Sequence, residues 1–398
     1  MFLAVFFTTL GSHYFYQVGV YVFQVIGLIC IIPFCKRWPI SVKSAGLFGL
    51  VYFFLYIYII NSTYLILGIN NFASGKVISP LLVLLCYWFV SALYSEPLRF
   101  LNALRIIIAI HCLVFLIQFF SYLLFGVFLD FIEPLTGESQ RAFGGSYEIS
   151  FLSRFIRTTG LYNEPGTYAT YMMIFLVFFK DFCVLVDRQN FDRWWVEILV
   201  ITTTLLALSN FGYIFVSIYA LVVYGSLRTS KLRLLLFLGL LAAGGVVFFE
   251  YFQQRFAYGR TDTGIEFRIF GVVSFVRNLD WWEFLFGRGF SANIIFWGGE
   301  VVILQDIGMW FGLFYYFGIF GVLFFTFYLN LSLRSMPKNA LNNSYLICLV
   351  IFILLSKLVL TNILLLIVLF YIAIRSRIFR KFNNISNANL HGVKRVPF

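Results

Sequence analysis

The sequence predicts an all-α, polytopic membrane protein with about eleven or twelve spans and two long outer loops. Three observations predict it. The 398-residue chain is 61% hydrophobic and only 12% charged, with a mean hydropathy of +0.91; a soluble domain needs more polar surface than that. Its apolar runs are long, as in Leu232–Phe249 and Tyr345–Ile374. Its basic residues cluster in short segments between those runs. Backbone polar groups in lipid must be satisfied internally, so the runs are read as helices. A β-barrel would show short alternating segments instead.

The spans follow in order. A stretch at 1–12 is short and counts as an extra span or not. Span 14–35 runs up to the basic loop Lys36-Arg37…Lys43, and 44–66 leaves it. Spans 77–95 and 104–129 flank Arg99 and Arg105. Spans 166–186 and 194–209 flank the segment from Lys180 to Arg193. Spans 211–227 and 232–250 flank Arg228, Lys231 and Arg233. Spans 308–330 and 343–358 flank Arg334 and Lys338, and 360–375 leads into a basic tail, 376–398. With the first basic loop inside, 19 of the 29 Lys and Arg lie on the cytoplasmic side and nine outside. That asymmetry sets the orientation. Within this tail, residues 381–398 are polar and basic and are expected to be disordered. Residues 1–398 then form a single integral membrane domain, with no internal repeat.

Several classes are excluded. The net charge of +12 would suit nucleic acid, but the excess sits in the inner loops, which is the positive-inside pattern. The cysteines, Cys30, Cys35, Cys86, Cys112, Cys183 and Cys348, fall in or beside apolar runs without metal spacing. His13, His111 and His391 are scattered, so no metal centre and no cofactor is expected. The N-terminus has no basic n-region, so no cleavable signal peptide is expected.

Chemistry concentrates in the outer loops, 130–165 and 251–307. Their basic residues are Arg141, Arg154, Arg157, Arg255, Arg260, Arg268, Arg277 and Arg288, with no Lys among them. Arginine is favoured where a planar fork must grip phosphate and stay charged when partly desolvated. The simpler reading is ion pairing with the loops' own acids, such as Glu148, Asp280 and Glu283. Aromatics, Tyr162 and Trp281 among them, are interleaved with the arginines; they suit a membrane interface or a sugar face. Tyr147–Arg157 reads as an amphipathic stretch on the outer leaflet. Gly287-Arg288-Gly289 reads as a tight turn whose backbone N–H groups could hold an anion. Lys357, in an apolar run, is a polar link between helices, an outer-turn residue or a substrate contact.

Three segments then resemble one family. RTTGLYNEPGTYA, beginning at Arg157, is similar to the Arg-x-x-Gly…acidic-Pro…Ala segment of the O-antigen polymerase and ligase superfamily. FRIFGVVSFVRNLDWWEFLFGRGFS resembles its second signature, an Arg followed by a helical stretch and Gly-x-Gly-Phe. QDIGMWFGLFYYFGIFGVLFF resembles its closing Gly-x-x-Gly pattern, and SNFGYIFV, at Ser209–Val216, loosely resembles a family junction. The resemblance implies a GT-C-like helical fold in the bacterial inner membrane, active at the periplasmic face. It implies a Wzy-type polymerase that joins undecaprenyl-diphosphate-linked oligosaccharides without metal or nucleotide sugar. Donor and acceptor glycans and the bilayer are the expected partners, with a chain-length regulator protein a further one; nucleic acid is not.

Carried onto this chain, the loop arginines are Arg157 and Arg268, expected to hold the diphosphate and offset its charge as it leaves. Glu164 or Asp306 would take the proton from the attacking hydroxyl. Each has a simpler reading as a residue at a helix N-terminus. Arg154, Arg260, Arg288, Gly287, Gly289 and Tyr162 are the expected substrate-binding positions. Asp306 stands where many relatives, ligases especially, carry His, which favours polymerase over the alternative, an O-antigen ligase acting on lipid A-core. A flippase or other transporter is a further alternative, though it usually shows internal repeats and charge at the midplane.

Overall fold

The computed structural model describes residues 93–136, 139–140, 156–162, 164–186, 194–224, 279–287, 294–297, 300–303, 308–334, 344–356 and 363–390, with scattered positions between 239 and 277. They are mostly helical. In chain order the elements are α1 (Pro97–Phe125), α2 (Glu133–Thr136), α3 (Pro165–Leu185), α4 (Trp194–Leu206), α5 (Asn210–Tyr219, continued as a widened π-type turn over Ala220–Tyr224), α6 (Trp281–Phe286), α7 (Met309–Arg334), α8 (Ser344–Leu355) and α9 (Ile363–Leu390). A two-stranded antiparallel hairpin, β1 (Ile294–Trp297) with β2 (Glu300–Ile303), lies in the second long loop. It is an addition to the expected all-α architecture. Two of the described helices, α1 and α3, are long and apolar enough to cross a membrane.

Local chemistry sets the ends. Pro97 and Pro165 occupy the first position of α1 and α3, where the missing N–H costs nothing and φ is already helical. Gly126 ends α1 in a left-handed conformation, φ +68°, and its N–H bonds Tyr122 O. A capping box starts α6, with Asp280 and Glu283 exchanging side-chain and backbone bonds. Helix α7 is kinked at Gly318, φ +63°, where a Cβ would lie 2.3 Å from Leu285 O of α6. Only glycine admits both that conformation and that approach.

Helix α3 lies buried at the centre and runs antiparallel to α1. Phe100 near the start of α1 packs on Phe178 and Phe182 near the end of α3, while Phe115 stacks on Tyr168 near its start. The α4–α5 pair is antiparallel, because the Tyr219 and Tyr224 hydroxyls both reach Glu197. Its turn meets the N-terminus of α3, where a Cβ on Gly166 would lie 3.4 Å from Ser209 Oγ. Met309 N–H donates to Ser356 O at 2.9 Å, tying the start of α7 to the end of α8.

The bundle therefore has two polar ends. At one, Asp181 takes a two-pronged bond from Arg375, both contacts 2.7 Å, and a third from Tyr371 hydroxyl at 2.6 Å. Lys180, the next residue on α3, pairs with Glu197 at 2.7 Å. The opposite end holds the segment that begins at Arg157. Roughly 25 Å of helix separates Glu164 from Asp181.

Two expectations are corrected. Helix α1 starts at Pro97, well before position 104, so Arg99 lies on a helix and not in a loop. Lys180 and Asp181, inside the expected span 166–186, are buried in α3 and ion-paired. The stretch expected to be disordered, 381–398, is helical through Leu390, where α9 continues. A buried bond from Arg375 to Asp181 and a bond from Lys381 to Tyr94 O anchor its first turns.

Candidate functional site

The Arg157 segment is short, irregular and tightly held. Ile156 to Leu161 runs without helix, and the Tyr147–Arg157 stretch is described only from Ile156, where it is not helical. Thr158 N–H turns back to Ile156 O at 3.0 Å, and Tyr162 N–H closes a four-residue turn on Thr159 O at 3.1 Å. Gly160 takes φ +61° at the second position of that turn, a conformation an L side chain resists. A Cβ there would also meet the Tyr168 ring at 3.1 Å and His111 O at 3.5 Å.

Two glutamines fix this turn in place. Gln118 of α1 accepts from Gly160 N–H at 2.8 Å through Oε1, and its Nε2 donates to Leu129 O at 2.8 Å and Gln140 Oε1 at 2.7 Å. Gln140 Nε2 donates to Gly160 O at 2.7 Å and to Tyr162 O at 2.8 Å. Gln140 is itself placed by Asp130, whose Oδ2 accepts its backbone N–H at 2.6 Å. The other oxygen, Oδ1, accepts from Ile132 and Glu133 N–H at 2.8 Å each. Both amides are buried, so the network sits where each bond is strong and each loss is costly. The aromatic floor is equally specific. Tyr162 is fully buried and stacks on His111, with ring centres 5.2 Å apart, while Tyr168 and Tyr171 flank it. Burial pushes the Tyr162 hydroxyl well above the usual tyrosine range, with Tyr171 and Cys112 adding to the rise. It is a neutral phenol at any ordinary pH.

Of the ten expected site residues, the structure describes Arg157, Tyr162, Glu164 and Gly287. Arg157 and Glu164 are half-buried and flank the pinned turn. Glu164 is the residue before Pro165, with extended φ and ψ of −131° and 142°, and its side chain makes no capping bond. It stands at the N-cap position of α3, so the simpler reading, a carboxylate at a helix N-terminus, fits its place even without a capping bond. Tyr162 is enclosed by His111, Tyr168 and Tyr171, a place for supporting the loop and not for meeting a sugar. The N–H of Gly287 is used in ending α6, bonding Glu283 O at 2.8 Å, so it does not join an anion-binding turn. Asp280 and Glu283 serve their own helix. Arg154, Arg260, Arg268, Arg288, Gly289 and Asp306 lie outside the described residues, as does Lys357.

The residues that sequence reasoning missed are Gln118, Gln140, Asp130 and His111. A signal for Gln118 exists: it is a lone amide in LVFLIQFF, and a polar group in such a run needs a partner. Among the described residues, no three His, Cys, Asp or Glu side chains converge as a metal set would. What the arrangement offers is a pinned backbone turn, with a half-buried arginine before it and a half-buried carboxylate after it, at one end of an apolar bundle. No family model, no curated protein and no solved structure matches the chain.

Proposed function

We propose that this chain is a polytopic glycosyltransferase of the bacterial inner membrane, polymerising undecaprenyl-diphosphate-linked oligosaccharide repeats at the periplasmic face. The observation that carries the reading is the pinned Arg157 turn. Arginine is placed at the entrance of an apolar helix, on a segment that a buried amide network holds against both neighbours. An isoprenoid diphosphate needs a cation at headgroup depth, beside a surface its tail can follow. Such surfaces are present: Leu113, Ile117, Phe120 and Leu124 form an exposed stripe on α1, and Phe320, Leu323, Phe324 and Phe327 another on α7. Apolar faces of this size suit lipid better than water.

In the reaction, a hydroxyl of the acceptor glycan attacks the anomeric carbon of the donor. The carbon–oxygen bond to the diphosphate breaks, and the isoprenoid diphosphate leaves with the electron pair. The new glycosidic bond forms on the opposite face, with inversion. A carboxylate, Glu164 or Asp306, takes the hydroxyl proton. Arg157, with Arg268 from the second loop, stabilises the growing negative charge on the leaving oxygen. Rigidity matters because preorganised charge stabilises a transition state without reorganising during the reaction.

The test uses purified protein in detergent with lipid-diphosphate-linked repeats alone. A product ladder on a gel supports the polymerase. Transfer only when lipid A-core is supplied would replace it with a ligase, and neither product would favour transport.

A further inference from the structure

Two side chains at this site are buried without a hydrogen-bond partner. Thr158 and Thr159 are fully buried, and neither hydroxyl meets a partner. Folded proteins leave few such groups, because an orphaned hydroxyl keeps the whole cost of losing water. Valine has nearly the same shape and would avoid that cost. Here the cost is incurred twice, in the two residues directly after Arg157. The backbone cannot slide to relieve it, since Thr158 N–H and Thr159 O are both held in turns. The neighbouring Gly160 N–H and O and Tyr162 O are all satisfied by the glutamines. Within the turn, the Thr158 and Thr159 hydroxyls are left without a bond, beside a guanidinium. Thr204 is also buried with an orphaned hydroxyl, but it lies within the α4–α5 pair against Gly212 and is not included.

We propose that Thr158 and Thr159 are ligands of the anionic diphosphate, donating their O–H groups to phosphate oxygens while Arg157 neutralises the charge. The inference rests on the proposed donor class and names the groups that hold it. Hydroxyl-to-phosphate bonds are charge-assisted and short. The two threonines donate without transferring a proton, so their part is in binding. Both are covered in the ligand-free chain, so binding must uncover them, and hydrogen exchange over 156–162 should respond to the ligand.

The experiment measures thermal midpoint and binding in detergent for the full chain and for Thr158→Val, Thr159→Val and the two Ser variants. The probes are farnesyl diphosphate, inorganic pyrophosphate and phosphatidylglycerol. Each Val variant should melt no lower than the parent without ligand, because an orphaned group has been removed. Each should bind farnesyl diphosphate about tenfold more weakly, as loss of one charge-assisted bond implies, and the Ser variants should bind as the parent does. Val variants that bind as tightly as the parent would overturn the assignment of the threonines alone. A lowered midpoint with unchanged binding would do so too, and would assign the hydroxyls to a structural water. Binding of none of the probes by the parent chain would overturn the donor reading with it. A response to phosphatidylglycerol alone would place a lipid headgroup at the site and remove the donor from it.

Discussion

Gln118→Leu is the sharpest perturbation of the site, because it keeps volume and removes only hydrogen bonds. In the folded chain the Gln118 amide serves Gly160 N–H, Gln140 Oε1 and Leu129 O. Leucine leaves Gly160 N–H and Gln140 Oε1 without those bonds in a buried place. At about 1–3 kcal/mol for each buried group left unsatisfied, the two together cost about 2–6 kcal/mol, or roughly 3 once the apolar side chain's gain is subtracted. The loss is local, since Phe115 and Phe119 on the same helix stay packed. Hydrogen-exchange mass spectrometry on detergent-solubilised protein reads this directly. Amides of residues 158–162 should exchange on the order of a hundredfold faster, the opening that ~3 kcal/mol implies, while those in the middle of α3 stay protected. Polymerisation should fall with them. Unchanged exchange at Gly160 together with full activity would refute the claim that this amide positions Arg157.

The other predictions follow from neighbouring contacts. Arg157→Ala should abolish long glycan chains at unchanged protein level, and Arg157→Lys should be impaired because a point charge cannot replace a planar fork; chain length on a gel reads both. Gly160→Ala should destabilise the chain by at least about 1–2 kcal/mol from the left-handed backbone alone, with the Tyr168 contact adding to it, measured as a lower thermal midpoint. At the far end, Arg375→Met should cost about 3–5 kcal/mol by stranding Asp181, whereas Asp181→Leu combined with Arg375→Met should recover most of it. A double-mutant cycle of unfolding midpoints checks that, and equal losses in single and double variants would count against it.

The helices were legible where local signals are strong. Pro165 and Gly166 ahead of an apolar run mark the start of α3, and its expected limits, 166–186, lie within a residue of those observed. The α4–α5 break is likewise marked by Ser209, and α8 and α9 begin close to their expected positions. What failed was the assumption that charge ends a helix. Asp181 and Arg375 are 194 residues apart in sequence yet bonded, and no local pattern announces that each neutralises the other. Taken singly, Arg375 reads as the start of a basic tail, so α9 was cut there, short of its end at Leu390, whereas Asp181 stayed within the expected limits of α3. The glutamine network was hidden for the same reason, since Gln118 and Gly160 are 42 positions apart. Arg157 and Glu164 were singled out by their motif, but the network that holds the turn between them came only from the fold. Tyr162 shows the opposite error: an aromatic in a polar-looking loop suggested a sugar platform, and it is a fully buried support.

The most direct measurement counts isoprenoid diphosphate released against glycosidic bonds formed, using purified protein and lipid-diphosphate-linked repeats as the sole substrate. The account predicts one diphosphate released per bond for the parent chain, and neither product for Arg157→Ala with the 158–162 segment still protected from exchange. Bonds formed without diphosphate release, or an Arg157→Ala protein as active as its parent, would contradict it.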